Sequence, residues 1–438
     1  MSATAPSADL AAAQLAAIDA SGWGHRVRIF QPRNLCSWLF LYYLVLGAIA
    51  TFRFFRSEFE AVQTAFVIGS ILFAIYTIPW IFFLRHVDRW SSIPTKLLVA
   101  GAAWGGLTAT LFIALPANGA LLSIYSKVFG TAWAADWAPA FTAPINEEWG
   151  KGIGILLLMF IAPKVIRSPF DGFIVGAFLG LGFQIAEDVL YAVNQANQGF
   201  GADQVGAAIQ IVVVRSIAGL FAHAFFSAIF GTGLVYLVGT MATRRNIGRG
   251  IGLMALAMVV HGTWDGLGAI AGVTGLNMFV TMGLAMLLDL AIILIVGRLV
   301  SDSDRAWMGD LMAPEVARGT ITDAELRAPG GTPREYRSYT KSVNGHRKRK
   351  QAKHVLEAAR DLAGAISLAR AVDTPEVVRM RAEVARAYVE PRSRKLLPRW
   401  FRRPREKPPR HDRPAPNGNA VWLRLTEPRE RPALWAGR

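Results

Sequence analysis

Long apolar runs separated by short polar breaks dominate the first three hundred residues. Eight runs stand out, over residues 36–51, 64–84, 97–115, 141–162, 170–193, 209–237, 250–270 and 276–300. Several reach the ~20 residues that a helix needs to cross a bilayer. The pattern predicts an all-α, polytopic membrane bundle of eight spans. At about 1.5 Å per residue the run 209–237 is too long for a straight crossing, so it is expected to tilt, bend or begin at the interface. Residues 116–139 are rich in small side chains and hold Trp133 and Trp137. They read as an outer loop with interfacial aromatics.

The pattern changes after residue 300. Hydrophobic residues make up 53% of the whole chain, above the usual share of a soluble domain, but the tail is polar and basic. From residue 301 there are 30 Lys+Arg against 17 Asp+Glu, so +13 of the net +16 lies there. Arg347, Lys348, Arg349 and Lys350 follow one another without a break. Beyond them, Val355, Leu356, Leu362, Ile366 and Leu368 recur at helical spacing, and residues 374–388 are expected to pair with that stretch as a helical hairpin. Pro and Arg content predicts disorder from residue 390. The divisions are thus an N-terminal segment 1–35, a bundle 36–300, a basic region 301–389 and a disordered tail 390–438.

Charge also orients the bundle. Arg26, Arg28, Arg33, Arg85, Arg89, Lys96, Lys164, Arg167, Arg244, Arg245, Arg249 and the tail all fall on one side if eight spans alternate. The other side keeps Arg53, Arg56 and Lys127. By the positive-inside rule both termini are cytoplasmic and the protein sits in the cell membrane. The first residues lack a basic region followed by an apolar core, so no cleaved signal is read, and 11–20 reads as a short alanine-rich surface helix. The single cysteine, Cys36, allows neither an internal disulfide nor a thiolate metal cluster. The basic tail suits anionic lipid better than nucleic acid, and its simplest role is a solvated cytoplasmic extension.

The candidate chemistry lies where charge enters apolar text. Glu147, Glu148 and Lys151 head the fourth run; Glu187 and Asp188 lie in the fifth; Arg215 and His223 in the sixth; His261 and Asp265 in the seventh. Each charge at the centre of a span costs about 2.5–3.5 kcal/mol on insertion scales, so such residues point to function by default. Glu147 and Lys151, Glu187 and Tyr191, and His261 and Asp265 are four apart and share a helix face. Glu147 and Glu148 point about 100° apart, and the spacing alone does not say which activates water. Singly, each feature has a plain structural reading: a helix-end ion cluster, an interhelical hydrogen bond, an arginine neutralising Glu187. Together, at similar depth, they form a kit for hydrolysis. A glutamate in low dielectric serves as general base. Histidines bind a metal or stabilise an oxyanion. Catalytic candidates are Glu147, Glu148, Glu187, His223, His261 and Asp265, with Lys151 and Arg215 in support. A Zn²⁺ would take His223, His261 and an acid, either Glu187 or Asp265, with Glu187 favoured. No His-Glu-x-x-His run is present.

Glu147-Glu148-x-x-Lys151, Phe183-x-x-x-Glu187-Asp188, His223 and His261-x-x-x-Asp265 together resemble the PrsW family of bacterial intramembrane proteases, which is related to the CAAX prenyl proteases. The flanking Gly182, Leu190, Tyr191 and Ala224 fit too, and the resemblance covers about residues 141–270. It implies a multi-pass peptidase whose substrates are membrane proteins such as anti-sigma factors. Two other functions use the same residues: a proton- or ion-coupled transporter, and a non-catalytic scaffold acting through its basic tail. Against the transporter, neither an inverted repeat nor a matched pair of broken helices is seen.

Overall fold

The computed structural model describes residues 8–88, 93–219, 222–330 and 333–389. The disorder expected from residue 390 therefore lies outside the described residues. Among those described, secondary structure is helical throughout.

All eight apolar runs fall in helices, but they are not eight separate ones. The first two share α2 (Leu35–Val87), which breaks at Val62, where φ is −136° and ψ is 52°. The rings of Phe55 and Phe66 lie 5.1 Å apart. In a straight helix their Cα atoms would be about 16 Å apart, so the chain doubles back at the break. The third run is α3 (Thr95–Ala103) continuing into a π-helical segment, Trp104–Ala114. The fourth lies in α5 (Thr131–Ile161) and the fifth in α6 (Pro169–Gln198). The sixth is α7 (Gln204–Ala218) and α8 (His223–Val238), bent by 43°; the seventh is α9 (Ile247–Asp265) and α10 (Leu267–Thr274), bent by 68°. The eighth is α11 (Met278–Val300). By length and composition four of the described helices can cross a membrane, or up to six if each bent pair is one span. That count takes α2 as one helix although it doubles back at Val62, and it leaves out α5, which carries Glu147, Glu148 and Lys151 inside its apolar stretch.

Residues 116–139 are not a loop. Pro116 opens α4 (Leu115–Phe129), and Gly130, at φ +88°, turns the chain into α5. Proline at the first helical turn loses no hydrogen bond, and glycine alone adopts that φ at no cost. Trp133 stacks on Phe141 within α5.

One end of the bundle is tied to the tail. Gln31 donates to Ile161 O at 2.8 Å and Asn34 to Phe160 O at 3.1 Å, setting the start of α2 beside the end of α5. Thr240 and Thr243 donate to Arg167 O, which pins the end of α8 to the start of α6. There α11 passes into α12 (Asp302–Ala317). α13 (Asp323–Gly330), α14 (Pro333–Ser342), α15 (His346–Leu368) and α16 (Pro375–Val389) follow. α15 and α16 pack on α12 and on α1 (Ala8–Ser21) through Ile18, Leu311, Leu362, Ile366 and Val384. α1 is therefore a packed element rather than a surface helix: Ile18 is fully buried.

Glu315 is the polar centre of that second core. It is fully buried and accepts from Gln14, Arg318, Thr320 and Arg381. Burial alone would raise its pKa, but Arg381 and the other donors hold it below the ordinary carboxylate value. A lowered folded-state pKa gives stability that is present above the unfolded value of about 4.3 and lost as pH falls through the folded one. Glu315→Gln is expected to expose α16 to protease at neutral pH and to flatten that acid dependence, as followed by limited proteolysis across pH 3–7.

Candidate metal and catalytic site

Backbone contact makes the site possible. A Cβ on Gly176 would stand 2.1 Å from Ser227 O, and one on Gly180 2.1 Å from His223 O. Only glycine lets α6 and α8 approach so closely, which brings His223 against Glu187. On the other side Trp104 of the π-helical segment donates to Gly150 O at 3.0 Å and holds that turn of α5. π-helical turns are frequent at functional sites. Counted at about 1.5 Å per residue, Glu147, Glu187, His223 and His261 all stand about 21–27 Å from the tail-bearing end of their helices.

Five helices, α5 to α9, then contribute to one buried cluster. Glu147 is 3% exposed, His223 5%, and Glu148, Lys151 and His261 are fully buried. Lys151 Nζ is 2.6 Å from Glu148 Oε1 and 3.8 Å from Glu147 Oε2. It also lies 3.2 Å from His223 Nδ1 and 4.1 Å above the ring of Phe183. Ser227 donates to Glu148 Oε2 at 3.1 Å. Glu187 Oε2 meets His223 Nε2 at 2.8 Å and Arg215 at 2.6 Å, while Arg215 Nε also bonds Asp188 at 2.5 Å.

These partners fix the imidazoles. His223 Nε2 faces only carboxylate, so it carries the proton, and Nδ1 accepts from Lys151. His261 Nδ1 donates to Glu148 Oε1 at 3.1 Å, which in the neutral ring leaves Nε2 as a lone pair. That lone pair faces Glu147 Oε2 at 3.5 Å and Asp265 Oδ2 at 3.2 Å. All three atoms are buried and without a hydrogen-bond partner among the described residues. With His261 neutral these three acceptors call for a positive or donating guest, whereas a proton on Nε2 would itself bridge the two carboxylates.

A metal ion meets that requirement. Ligand atoms of Glu147, His223 and His261 lie within 4.8 Å of one another. Glu147 Oε2 is 3.6 Å from His223 Nδ1 and 3.5 Å from His261 Nε2. Ligands at about 2.0–2.2 Å around a tetrahedral ion stand roughly 3.4 Å apart. In each histidine the other nitrogen is held by a carboxylate, Glu187 or Glu148, the usual second layer of a metal site. Lys151 shares the niche through His223 Nδ1, so an ion there displaces that hydrogen bond onto Glu148.

The favoured acid in the ligand set changes accordingly. Glu187 lies on the far side of His223 and is engaged by Arg215, whereas Glu147 faces both histidines. Asp265, the other acid considered, borders the niche through His261. Asp289 is 6% exposed on α11, and its Oδ2 has no hydrogen-bond partner among the described residues.

Asn118 escaped sequence reasoning. From α4 its Nδ2 donates to Glu147 Oε1 at 3.1 Å, and Asn146 donates to Asn118 Oδ1 at 3.0 Å. No motif marks it, and it falls in the stretch read as a loop. A hydrogen bond to a charged group is worth about 1.5–3 kcal/mol. Asn118→Ala is therefore expected to lower kcat by roughly ten- to a hundredfold with KM little changed, in a peptide-cleavage assay on the detergent-solubilised protein.

A carboxylate–histidine niche walled inside an apolar helix bundle defines a membrane-embedded hydrolase. Residues 93–295, which hold the entire niche, match the PrsW family intramembrane metalloprotease. Over those residues the chain is similar to that family, and the match marks it as a peptide hydrolase of the membrane. Neither a curated protein nor a solved structure matches the chain.

Proposed function

We propose that the protein hydrolyses a peptide bond of a membrane-protein substrate, such as an anti-sigma factor, in the outward half of the cell membrane, with both termini cytoplasmic. The observation that carries this reading is the convergence of ligand atoms of Glu147, His223 and His261 within 4.8 Å of one another, with Asp265 beside His261. A water placed there donates to Glu147 Oε2, which takes its proton as the oxygen attacks the carbonyl. His261 is oriented by Glu148, and His223 by Glu187 and Arg215. Lys151 balances the paired glutamates so that the niche holds its charges in a dry interior. Proton return from Glu147 to the leaving amine completes the turnover. Zn²⁺ fits Glu147, His223 and His261; when bound it lowers the pKa of water and polarises the carbonyl.

The orientation rests on the basic end of the bundle facing the cytoplasm. Comparison of membrane proteomes from cells carrying the wild type and Glu147→Gln tests the reading. One membrane protein is expected to accumulate uncut in the variant. Identical proteomes, with the variant present at wild-type level, would reject the peptidase assignment.

A further inference from the structure

A second polar cavity lies at the tail-bearing end, away from the niche. α8 ends there at Val238, α9 begins at Ile247 and α11 gives way to α12 at Ser301. These chain ends border an open cavity of about 650 Å³. Arg244, Arg245 and Arg249 line the cavity together with Tyr236 and the hydroxyls of Thr243 and Ser303. No acidic side chain lines it, and no carboxylate among the described residues pairs with the three arginines. The acids that flank Ser303 are otherwise engaged or enclosed: Asp302 is paired with Arg305 at 2.9 Å and Asp304 is fully buried. Arg245 is held in place by its Nε, which donates to Leu237 O at 2.9 Å, and the Arg249 guanidinium sits 5.8 Å over the Tyr236 ring. Three guanidinium groups without a carboxylate partner around a polar cavity form a receptor for a phosphate-bearing anion.

The surface beside the arginines narrows the choice. Ile247 and Ile251 on α9, and Ile295 and Leu299 on α11, are exposed apolar side chains, and Leu299 also lines the cavity. A soluble phosphate ester has no use for that hydrocarbon flank; a lipid does. We infer that this cavity seats the phosphate headgroup of an anionic phospholipid, with the acyl chains lying along α9 and α11. Basic pockets between membrane helices at the cytoplasmic boundary recognise anionic lipid in this way.

The test uses the full chain in detergent micelles, with lipid retention read by native mass spectrometry. Phosphatidylglycerol, phosphatidylcholine and glycerol 3-phosphate serve as probes. The wild type is expected to retain phosphatidylglycerol in preference to phosphatidylcholine, and to bind glycerol 3-phosphate far more weakly. Arg244→Gln with Arg249→Gln is expected to weaken phosphatidylglycerol binding by about twentyfold, since each basic group near a membrane surface contributes several-fold. Arg347→Gln with Lys348→Gln, which removes the same charge from α15, is expected to leave binding unchanged. Arg244→Glu, a single change at an exposed side chain, covers the case in which the double variant fails to fold, and is expected to weaken binding as strongly. Three results would overturn the inference: undiminished phosphatidylglycerol retention by the cavity variants, equal retention of phosphatidylcholine, or glycerol 3-phosphate binding as tightly as the lipid.

Discussion

Glu147→Gln is expected to lower kcat for peptide cleavage by about a thousandfold or more, with substrate binding retained. General-base catalysis alone contributes roughly 10²–10⁴-fold. The substitution is nearly isosteric. It keeps an oxygen to accept from Asn118 but loses the carboxylate that faces His223 and His261. The variant also separates two roles for the same oxygen. If Oε2 is chiefly a ligand, zinc content measured by atomic emission falls with activity. If Oε2 chiefly takes the proton, zinc stays near one per chain while activity falls. Chelation is expected to silence the wild type, and added Zn²⁺ to restore it. A variant that cleaves at the wild-type rate would remove Glu147 from the chemistry altogether.

The choice of Glu147 over Glu187 as the acid facing both histidines was beyond the reach of the sequence, for a geometric reason. Helical spacing relates residues within one rod: Glu147 to Lys151, His261 to Asp265. Which rods touch, and at what rotation, is decided by contacts such as Gly180 against the His223 carbonyl. Gly176 and Gly180 are plain in the sequence, but the carbonyls they pack against are not. Arg215 could be read as a counter-ion because a cation in that setting needs an acid; its grip on both Glu187 and Asp188 needed coordinates.

Asn118 and the joining of apolar runs into single helices were hidden for other reasons. A neutral amide in a stretch of small residues looks like a loop, and only its reach to Glu147 gives it meaning. Counting apolar runs assumes that each polar break is a turn between separate helices. At Val62 the chain reverses with a single residue out of helical geometry, so two runs become arms of one element. The burial of Ile18 against the tail joins segments roughly three hundred residues apart, and no local pattern carries that information. What survives such gaps is the cost argument. Charges that are expensive in lipid had to meet partners, and the four runs that carry them are the four that build the niche.

Lys151→Met should be the most destabilising single change in the bundle. The ammonium is fully buried and is the closest partner of Glu148, itself fully buried. Its removal leaves Glu148 with only Ser227 and His261 in a dry interior, next to a second carboxylate on Glu147. Breaking a buried pair from one side costs about 3–5 kcal/mol, mainly because the remaining charge is uncompensated. Neutralising both members avoids that charge, so Lys151→Met combined with Glu148→Gln is expected to recover most of the loss in a denaturant titration in mixed micelles. Activity is expected to stay low in the double variant, because His261 then lacks the carboxylate that holds its Nδ1 proton. Stability and cleavage thus part company. A double variant as unstable as Lys151→Met alone would mean that the lysine acts through packing on Phe183, 4.1 Å away, rather than through charge.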